Sequence, residues 1–263
     1  MKDIPYLRVL FFLMILCLVS VAAQAATPAA AQMASPTWVS DPQVVEEITQ
    51  NPDIVRVKLE AAMRALLNSP DKLEVKLTAV DTASAAHGLF SRIHIQTENG
   101  TIDGLKLHKA DVEFLEVQLN TTKLLREEKI DTVNVRDINM DVIIRQDDLN
   151  AFLAGKSKKI GVDNPRVEML PGKINLSGST KYSFMKVKFW GTGVFAVNQG
   201  KSIWFHPRKL QVNGMGMPRA FIGTIVKRIN PVLNLDKFPF RLNLQEIRIQ
   251  SGSLQFTSRR SGN

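Results

Sequence analysis

Alternation of apolar and polar side chains constrains the fold of this chain more than any other feature. Between Leu73 and Thr257, residues of one class recur at every second position in many segments, which is the spacing of a half-buried strand. Turn residues such as Asn99-Gly100 and Gln199-Gly200 separate the segments. The pattern predicts an α+β fold with about eight to ten antiparallel strands.

The alternation changes phase inside one long predicted strand. Between Leu105 and Leu119 the apolar set shifts at Lys109 and again at Leu115. Such a shift indicates a β-bulge or a bend. Because a one-sided sheet must cover its apolar face, we expect a strongly curved antiparallel sheet wrapped around two or three amphipathic helices.

Three segments have helical spacing instead. Asn51 is the predicted N-cap of a helix that continues to Ser69-Pro70. A short helix is expected between Asp147-Asp148, which would cap it, and Gly155, which would end it. The third runs from Phe221 to Ile229.

The N-terminus predicts export. Residues 1–25 contain an early basic pair, a nearly unbroken apolar run and a small-residue cleavage site ending at Ala25, which is the layout of a cleavable signal peptide. An uncleaved anchor is the alternative. We expect a flexible Ala/Pro/Ser leader at 26–42, a single domain at 43–258 and a basic tail at 259–263. The protein would then be periplasmic or otherwise extracytoplasmic.

Cysteine content and charge narrow the chemistry further. The only cysteine, Cys17, lies in the predicted signal peptide, so the exported chain would have no disulfide and no thiolate. Without residues 1–25 the chain has 32 basic and 24 acidic residues. Outside the cytoplasm this excess favours anionic lipid or glycan over nucleic acid as a partner.

Signatures of catalysis are absent. The four histidines have no zinc-ligand spacing, and no G-x-S-x-G elbow occurs. The run "GTGVFA" at 191–196 fits a relaxed dinucleotide fingerprint, but a strand follows it where a helix would be needed. Gly191 and Gly193 are therefore predicted to be places where a strand bends or another element packs closely. We expect no enzyme, no cofactor and no metal.

Residues 186–212 combine aromatic side chains with lysines. If the apolar phase contacts acyl chains, the lining candidates are Ile174, Leu176, Met185, Val187, Phe189, Phe195, Phe221 and Ile225. The candidates for contact with a lipid headgroup are Lys186, Lys188, Lys201 and Arg208. For each apolar residue, ordinary core packing is the alternative.

Four segments carry a resemblance to a known family. "VNVRDINMDVIIRQDDLNAFLAG", "GKINLSGSTKY", "GTGVFAVNQGKSIWFHPRKLQVNGMGMP" and "FPFRLNLQEIRIQSGSLQFTS" resemble the LmeA-like family of bacterial envelope phospholipid-binding proteins, over about Val55 to Thr257. The resemblance implies a secreted, non-enzymatic domain with a tubular lipid-binding (TULIP-like) fold, in which a curled sheet around a long helix holds acyl chains in a tunnel.

Two functions therefore remain open. A hydrolase or glycan enzyme is a third, and it would need a cleft that contains carboxylates with shifted pKa values. The first is an extracytoplasmic protein that binds or transfers a phospholipid or other diacyl lipid and contacts the membrane surface transiently. The second is an envelope scaffold with a solid core, in which Trp190, Trp204 and Phe205 form a patch for a protein partner.

Overall fold

The computed structural model describes residues 40–182, 185–200, 202–216, 222–223, 226–227, 230–234 and 244–258. All of them belong to the unit Trp38–Asn263. The predicted signal peptide, the predicted basic tail and residues 26–39 of the predicted leader lie outside the described residues.

Five helices and twelve strands have described bounds. Residues 222–223 and 226–227 are also helical, within the segment predicted as a helix from Phe221 to Ile229, and the rest of that segment lies outside the described residues. The helices are α1 (Pro42–Gln50), α2 (Ile54–Leu66), α3 (Thr82–Ala86), α4 (Thr121–Glu127) and α5 (Gln146–Ile160). The strands are β1 (Lys72–Thr78), β2 (Leu89–Ile102), β3 (Leu105–Leu119), β4 (Thr132–Arg145), β5 (Asp163–Leu170), β6 (Lys173–Tyr182), β7 (Met185–Asn198), β8 (Ser202–Val212), β9 (Met215–Gly216), β10 (Leu233–Asn234), β11 (Glu246–Gln250) and β12 (Ser253–Thr257). The predicted α+β class is confirmed, and the expected number of helices was too low.

The strands form two antiparallel sheets rather than the single sheet expected. The first has the order β1-β2-β3-β4-β12-β11, and the second has the order β10-β8-β7-β6-β5, with β9 beside one end of β8. In the first sheet, α3 lies between β1 and β2 along the chain and α4 lies between β3 and β4, whereas a short turn joins β2 to β3. β12 pairs with β4, and β11 lies beside β12. The last two strands of the first sheet therefore come from the C-terminal part of the chain.

The long β2–β3 hairpin contains both predicted phase changes. Buried positions of β3 shift from Leu105 and Leu107 to Ala110 and Phe114, and then to Val117. β2 shifts at the same two levels, so the register between the strands is kept. The predicted position of the turn, however, was wrong. β2 continues through residues 98–100, and the chain reverses after Ile102.

Helix α1 was missed because its sequence lies at the boundary between the predicted leader and the domain. The Asp41 carboxylate accepts a hydrogen bond from the Gln43 amide at 2.9 Å, which caps the helix, and Pro42 occupies its first turn. Val44 and Ile48, four residues apart, are both 0% exposed and belong to the core. The segment from Pro42 is thus part of the fold.

Three helix ends differ from prediction. Helix α5 begins after the N-cap Arg145, so that Asp147 and Asp148 lie in its first turn and do not cap it. Asn51 ends α1 rather than starting α2, whose N-cap is Asp53. Helix α5 continues past Gly155 to Ile160 and ends at Gly161, which adopts the left-handed conformation with φ 65°. Gly155 lies on the exposed face of α5, with no tertiary contact. A glycine inside a helix costs only about 1 kcal/mol relative to alanine, so the helix continues through it.

One contiguous apolar core joins the two sheets and the helices. At one place the sheets also share backbone hydrogen bonds, where the β5–β6 turn meets the β11–β12 hairpin. The Gly172 amide donates to the Ile249 carbonyl at 3.0 Å, and the Gly252 amide donates to the Met169 carbonyl at 3.2 Å. We call this end of the second sheet the joint end, and the opposite end, at the β6–β7 hairpin, the far end. Among the described helices, none has the length and apolarity to cross a membrane.

Candidate functional site

The inner face of the second sheet is mostly apolar; towards the far end it also contains the buried Thr180, opposite Val187, whose hydroxyl donates to the Gly161 carbonyl at 2.8 Å. Buried side chains on this face come from all four long strands: Val167, Met169, Ile174, Leu176, Val187, Phe189, Phe195, Ile203, Phe205 and Leu210. They alternate with exposed or half-exposed residues, as expected for strands with one buried face. This surface contains most of the predicted lining candidates.

Glycines flatten the middle of this inner face. A Cβ on Gly193 would lie 2.3 Å from the His206 carbonyl oxygen and 2.5 Å from the Phe205 ring, and a Cβ on Gly191 would lie 2.4 Å from Leu210. The neighbouring side chains therefore lie across the glycines rather than standing away from the sheet. The prediction that Gly191 and Gly193 mark close packing is confirmed.

Asparagine side chains bind the backbone at the edge strand β5 and on β8 next to its short pairing with β10. On β5, the Val167 amide donates to Asn150 Oδ1 at 2.7 Å, and Asn150 Nδ2 donates to the Val167 carbonyl at 2.9 Å. On β8, Asn230 makes the same pair of bonds with Phe205, at 2.7 and 2.9 Å. Each carboxamide replaces one residue of a neighbouring strand, so these backbone groups are satisfied without another strand.

Exposure of the predicted lining candidates rises sharply at the far end. Ile174 and Leu176, towards the joint end, are 0% and 6% exposed, and Phe189 is 3% exposed. Val187 is 6% exposed but does not belong to the contiguous core, and Met185, at the start of β7, is 54% exposed. Phe195 is 7% exposed. Phe221 and Ile225 lie outside the described residues.

The predicted headgroup candidates are spread over the sheet. Lys186 follows Met185 at the far end, and its ammonium lies 2.8 Å from the Asp163 carboxylate. Lys188 is exposed on the outer face, since its neighbours Val187 and Phe189 point inward. Arg208 is exposed at a bulge between the levels of Thr192 and Gly193, in the middle of β8. Lys201 lies outside the described residues, and its neighbour Gly200 is at the joint end.

Electrostatics at the far end are dominated by lysine. The hydrogen bond from Lys186, and then its positive charge, hold the pKa of Asp163 below the ordinary value, and the charge of Lys181 acts in the same direction. Lys181 and Lys186 stand directly opposite each other across β6 and β7. The carboxylate thus faces two ammonium groups and stays ionised.

Charge is segregated along the sequence in a way that the overall net charge does not reveal. From Ser40 to Glu168, which includes four strands of the first sheet, the chain has 22 acidic and 17 basic residues. From Met169 to Leu235, which includes most of the second sheet, it has ten basic residues and no acidic one. Counting charge by segment would have found this region from the sequence.

Comparison with known proteins agrees with this geometry. The family model described as LmeA-like phospholipid-binding matches residues 53–259. The chain belongs to the LmeA-like phospholipid-binding family. No curated protein and no solved structure matches it. The family is one of lipid-binding proteins rather than enzymes.

Helix α1 lies before the family match and yet packs with the family domain. Arg126 of α4 forms a 2.9 Å ion pair with Glu47, and Ser40 lies 3.2 Å from the His87 ring nitrogen. Val44 and Ile48 are buried in the same core as the matched region. This LmeA-like protein therefore extends the family domain by one helix at its N-terminal side.

The aromatic patch of the scaffold hypothesis does not exist as expected. Phe205 is 1% exposed and points inward, so it cannot contact a protein partner. Trp204 is half-buried, and its ring nitrogen donates to the Ser202 hydroxyl at 3.0 Å. Trp190, 40% exposed, is separated from the level of Trp204 by six residues along β7, about 20 Å. The prediction failed because the alternation of β8 places Phe205 and Trp204 on opposite faces.

One polar network of the first sheet joins β2 and β3. The ring of His94 lies 2.9 Å from Asp111, and Gln96 donates to the other carboxylate oxygen at 2.7 Å. Partial burial opposes ionisation, but these hydrogen bonds hold the pKa of Asp111 below its ordinary value. The described residues contain no cluster of side chains suited to a metal ion. The network is thus a cross-strand contact of the outer face.

A solvent-open concavity of about 520 Å³ lies beside the first half of β4. It is lined by Asp131–Ile138, Gln245 and Ser258. β12 pairs with β4 only as far as Asp141, so the edge of β4 is open here among the described residues. Its lining is mostly polar, which does not suit acyl chains.

Proposed function

We propose that this LmeA-like protein is an extracytoplasmic phospholipid-binding or lipid-transfer protein that holds acyl chains in an apolar tunnel and contributes to lipid homeostasis of the cell envelope. Membership of the phospholipid-binding family supports the ligand class. The observation that supports the location is the inner face of the second sheet, which is mostly apolar and ends at the exposed Met185 beside lysines. Export follows from the predicted signal peptide.

The mouth of the tunnel lies at the far end. Side chains at the joint end, such as Ile174 and Ile203, are 0% and 1% exposed and are part of the contiguous core. Val187 is buried outside that core, and Met185 is open to solvent. Acyl chains would therefore enter past Met185 and lie along Val187 and Phe189, and the Lys186 ammonium at the same end would meet the phosphate.

The deciding experiment is native mass spectrometry of the mature protein prepared without detergent, with lipid analysis of an organic extract from the same sample. Stoichiometric diacyl lipid would support the proposal and identify the headgroup. A lipid-free mass that stays unchanged after incubation with phospholipid vesicles would refute it. The inner face would then be a filled core, and an interaction domain would become the better hypothesis.

A bulky substitution distinguishes a tunnel from a filled core at the same position. If Val187 lines a tunnel, Val187→Trp leaves the fold intact and lowers the amount of bound lipid. If Val187 is packed as ordinary core, the extra volume destabilises the protein by about 1–3 kcal/mol or more. Val75→Trp is the matched control, because Val75 is 4% exposed within the core of the first sheet. It should destabilise the protein in either case.

A further inference from the structure

The outer face of the second sheet carries lysines around one exposed tryptophan. Trp190 lies on this face of β7 opposite Gln211 of β8 and Ser177 of β6. Lys188 precedes Trp190 by two residues, and Lys209 stands on β8 opposite Thr192, two residues beyond Trp190. All three side chains are exposed, and the two lysines stand two residues before and two residues beyond Trp190, about 7 Å along the strand direction.

Lys181 and Lys186 extend this surface to the far end. They form a cross-strand pair next to the level of Lys188 and Ser179. We call the five residues Lys181, Lys186, Lys188, Trp190 and Lys209 the outer basic face. Its four lysines stand on three adjacent strands, so they present positive charge over an area rather than along a line.

This positive charge is hardly neutralised by the protein. Among the described residues, Asp163 is the only carboxylate within ion-pair distance of the outer basic face, and it pairs with Lys186. In the first sheet the lysines of β1 behave differently, since Lys72 pairs with Glu98 at 3.9 Å and Lys76 with Glu74 at 2.6 Å. The lysines of the outer basic face, apart from Lys186, therefore differ from those of β1 in having no carboxylate partner among the described residues.

We propose that the outer basic face is the surface by which this protein docks on a bilayer containing anionic phospholipid. The proposal rests on the proposed function, because a protein that loads or delivers lipid must meet a membrane. Lysines near such a bilayer are attracted to its negative surface potential. Tryptophan prefers the headgroup region, where its ring is partly buried and its N–H remains hydrated. Lys188, which points away from the inner face, then serves the bilayer rather than the bound lipid.

Docking in this way brings the tunnel mouth to the membrane. Met185 lies one residue from Lys186 and starts the strand that carries Trp190. Met215 of β9, 71% exposed, stands opposite Val212 towards the same end of the sheet. The exposed apolar side chains of the far end are therefore next to the proposed contact surface, where an acyl chain could pass between bilayer and protein with little exposure to water.

The test is flotation of the mature protein with vesicles of two compositions, phosphatidylcholine alone and phosphatidylcholine containing about one third phosphatidylglycerol. We expect binding to the anionic vesicles that weakens in high salt, because the Debye length falls from about 10 Å at 0.1 M to about 3 Å at 1 M ionic strength. Lys188→Gln combined with Lys209→Gln should lower the vesicle affinity roughly 25-fold, since each lysine at a bilayer surface contributes about five-fold. Trp190→Ser should weaken binding further.

Matched controls come from the first sheet. Lys72→Gln with Lys76→Gln removes the same charge from two exposed lysines, and Leu89→Ser removes an apolar side chain that is 43% exposed. These variants should float like the unchanged protein. The lipid content of every variant is measured by native mass spectrometry, and the Lys188/Lys209 variant should keep its bound lipid.

Three outcomes would overturn the docking proposal: no flotation of the unchanged protein with anionic vesicles, equal flotation with both vesicle types, or equal losses in the Lys188/Lys209 and Lys72/Lys76 variants. Retention on an anionic polysaccharide without flotation would indicate a glycan partner instead and would also overturn it. Absence of bound lipid in the unchanged protein is a separate result, which refutes the proposed function whether or not the protein floats.

Discussion

Asn150 offers the sharpest test of how the second sheet is bounded. In the ladder of an antiparallel edge strand, every second residue points its N–H and C=O away from the sheet. Val167 is such a residue of β5, and the Asn150 carboxamide receives both groups at 2.7 and 2.9 Å. Asn150→Ala removes both hydrogen bonds and leaves the two backbone groups in a place where Val167 is only 2% exposed.

The expected loss follows from these two bonds. A typical hydrogen bond contributes about 0.5–1.5 kcal/mol net, and a partner left buried and unsatisfied costs about 1–3 kcal/mol. We therefore expect Asn150→Ala to lower the free energy of unfolding by about 2 kcal/mol, which lowers Tm by roughly 4–8 °C in a domain of this size. Denaturant titration measures the first quantity, and hydrogen exchange at the Val167 amide should become faster. Lys158→Ala, an exposed truncation on the same helix, is the control.

Asn150→Asp separates the donor from the acceptor. Its carboxylate can accept from the Val167 amide, but it repels the Val167 carbonyl, so the pKa of the new carboxyl should be raised in the folded state. The variant should be closest in stability to the unchanged protein below the unfolded-state pKa, about 3.9, where the carboxyl is protonated and donates to the carbonyl. It should lose stability as pH rises from that value through the raised folded-state pKa. Two results would refute this role of Asn150 at the edge of β5. One is a stability deficit of Asn150→Asp that does not change with pH. The other is an unchanged rate of hydrogen exchange at the Val167 amide in Asn150→Ala.

Further substitutions test the packing and the charges. Gly193→Ala should prevent normal packing of β7 on β8 and lower Tm strongly, because the new Cβ would lie 2.3 Å from a backbone oxygen. Gly155→Ala, in open space on α5, should instead stabilise the protein by about 0.5–1 kcal/mol. Thermal melts of the two variants test both predictions. Phe205→Ala should cost about 3–5 kcal/mol in denaturant titration if the ring is core, and a loss below about 1 kcal/mol would mean that the ring is exposed. Lys186→Gln should return the pKa of Asp163 towards its ordinary value. The Lys186–Asp163 pair stabilises the fold above the unfolded-state pKa of Asp163, and this contribution is lost as pH falls through the lowered folded-state pKa. If NMR titration gives the same pKa for Asp163 in the Lys186→Gln variant and the unchanged protein, the pairing is contradicted.

Local periodicity predicted the elements better than their arrangement. The two phase changes of β3 were visible because apolar residues mark the buried side even where a strand bends. The division into two sheets was not visible, because it depends on which strands pair at long range, as when β12 returns to β4. Helix α1 was missed for another reason, since Val44 and Ile48 alone are too few apolar positions to stand out beside a leader rich in alanine and proline.

The candidate site was predicted in its composition but not in its geometry. Apolar residues and lysines at 185–189 were correctly recognised as alternating, and alternation itself sends them to opposite faces: Val187 and Phe189 inward, Lys186 and Lys188 outward. The sequence predicted the lysines to lie outward or at a rim and still to meet the phosphate, but it could not show which of them stand at the end of a strand.

The opposition of the two faces limits where a bound lipid can place its headgroup. A lysine in the middle of the strand cannot reach a phosphate whose acyl chains lie on the other side of the sheet, because the backbone separates the two faces. Only at the end of a strand can one side chain line the apolar face while the next reaches the same ligand around the edge. Met185 and Lys186 are adjacent at such an end, whereas Arg208 is in the middle of β8. If the inner face holds acyl chains, the headgroup therefore belongs at the far end beside Lys186, and Lys188 and Lys209, which stand further along the outer face, must have a different partner.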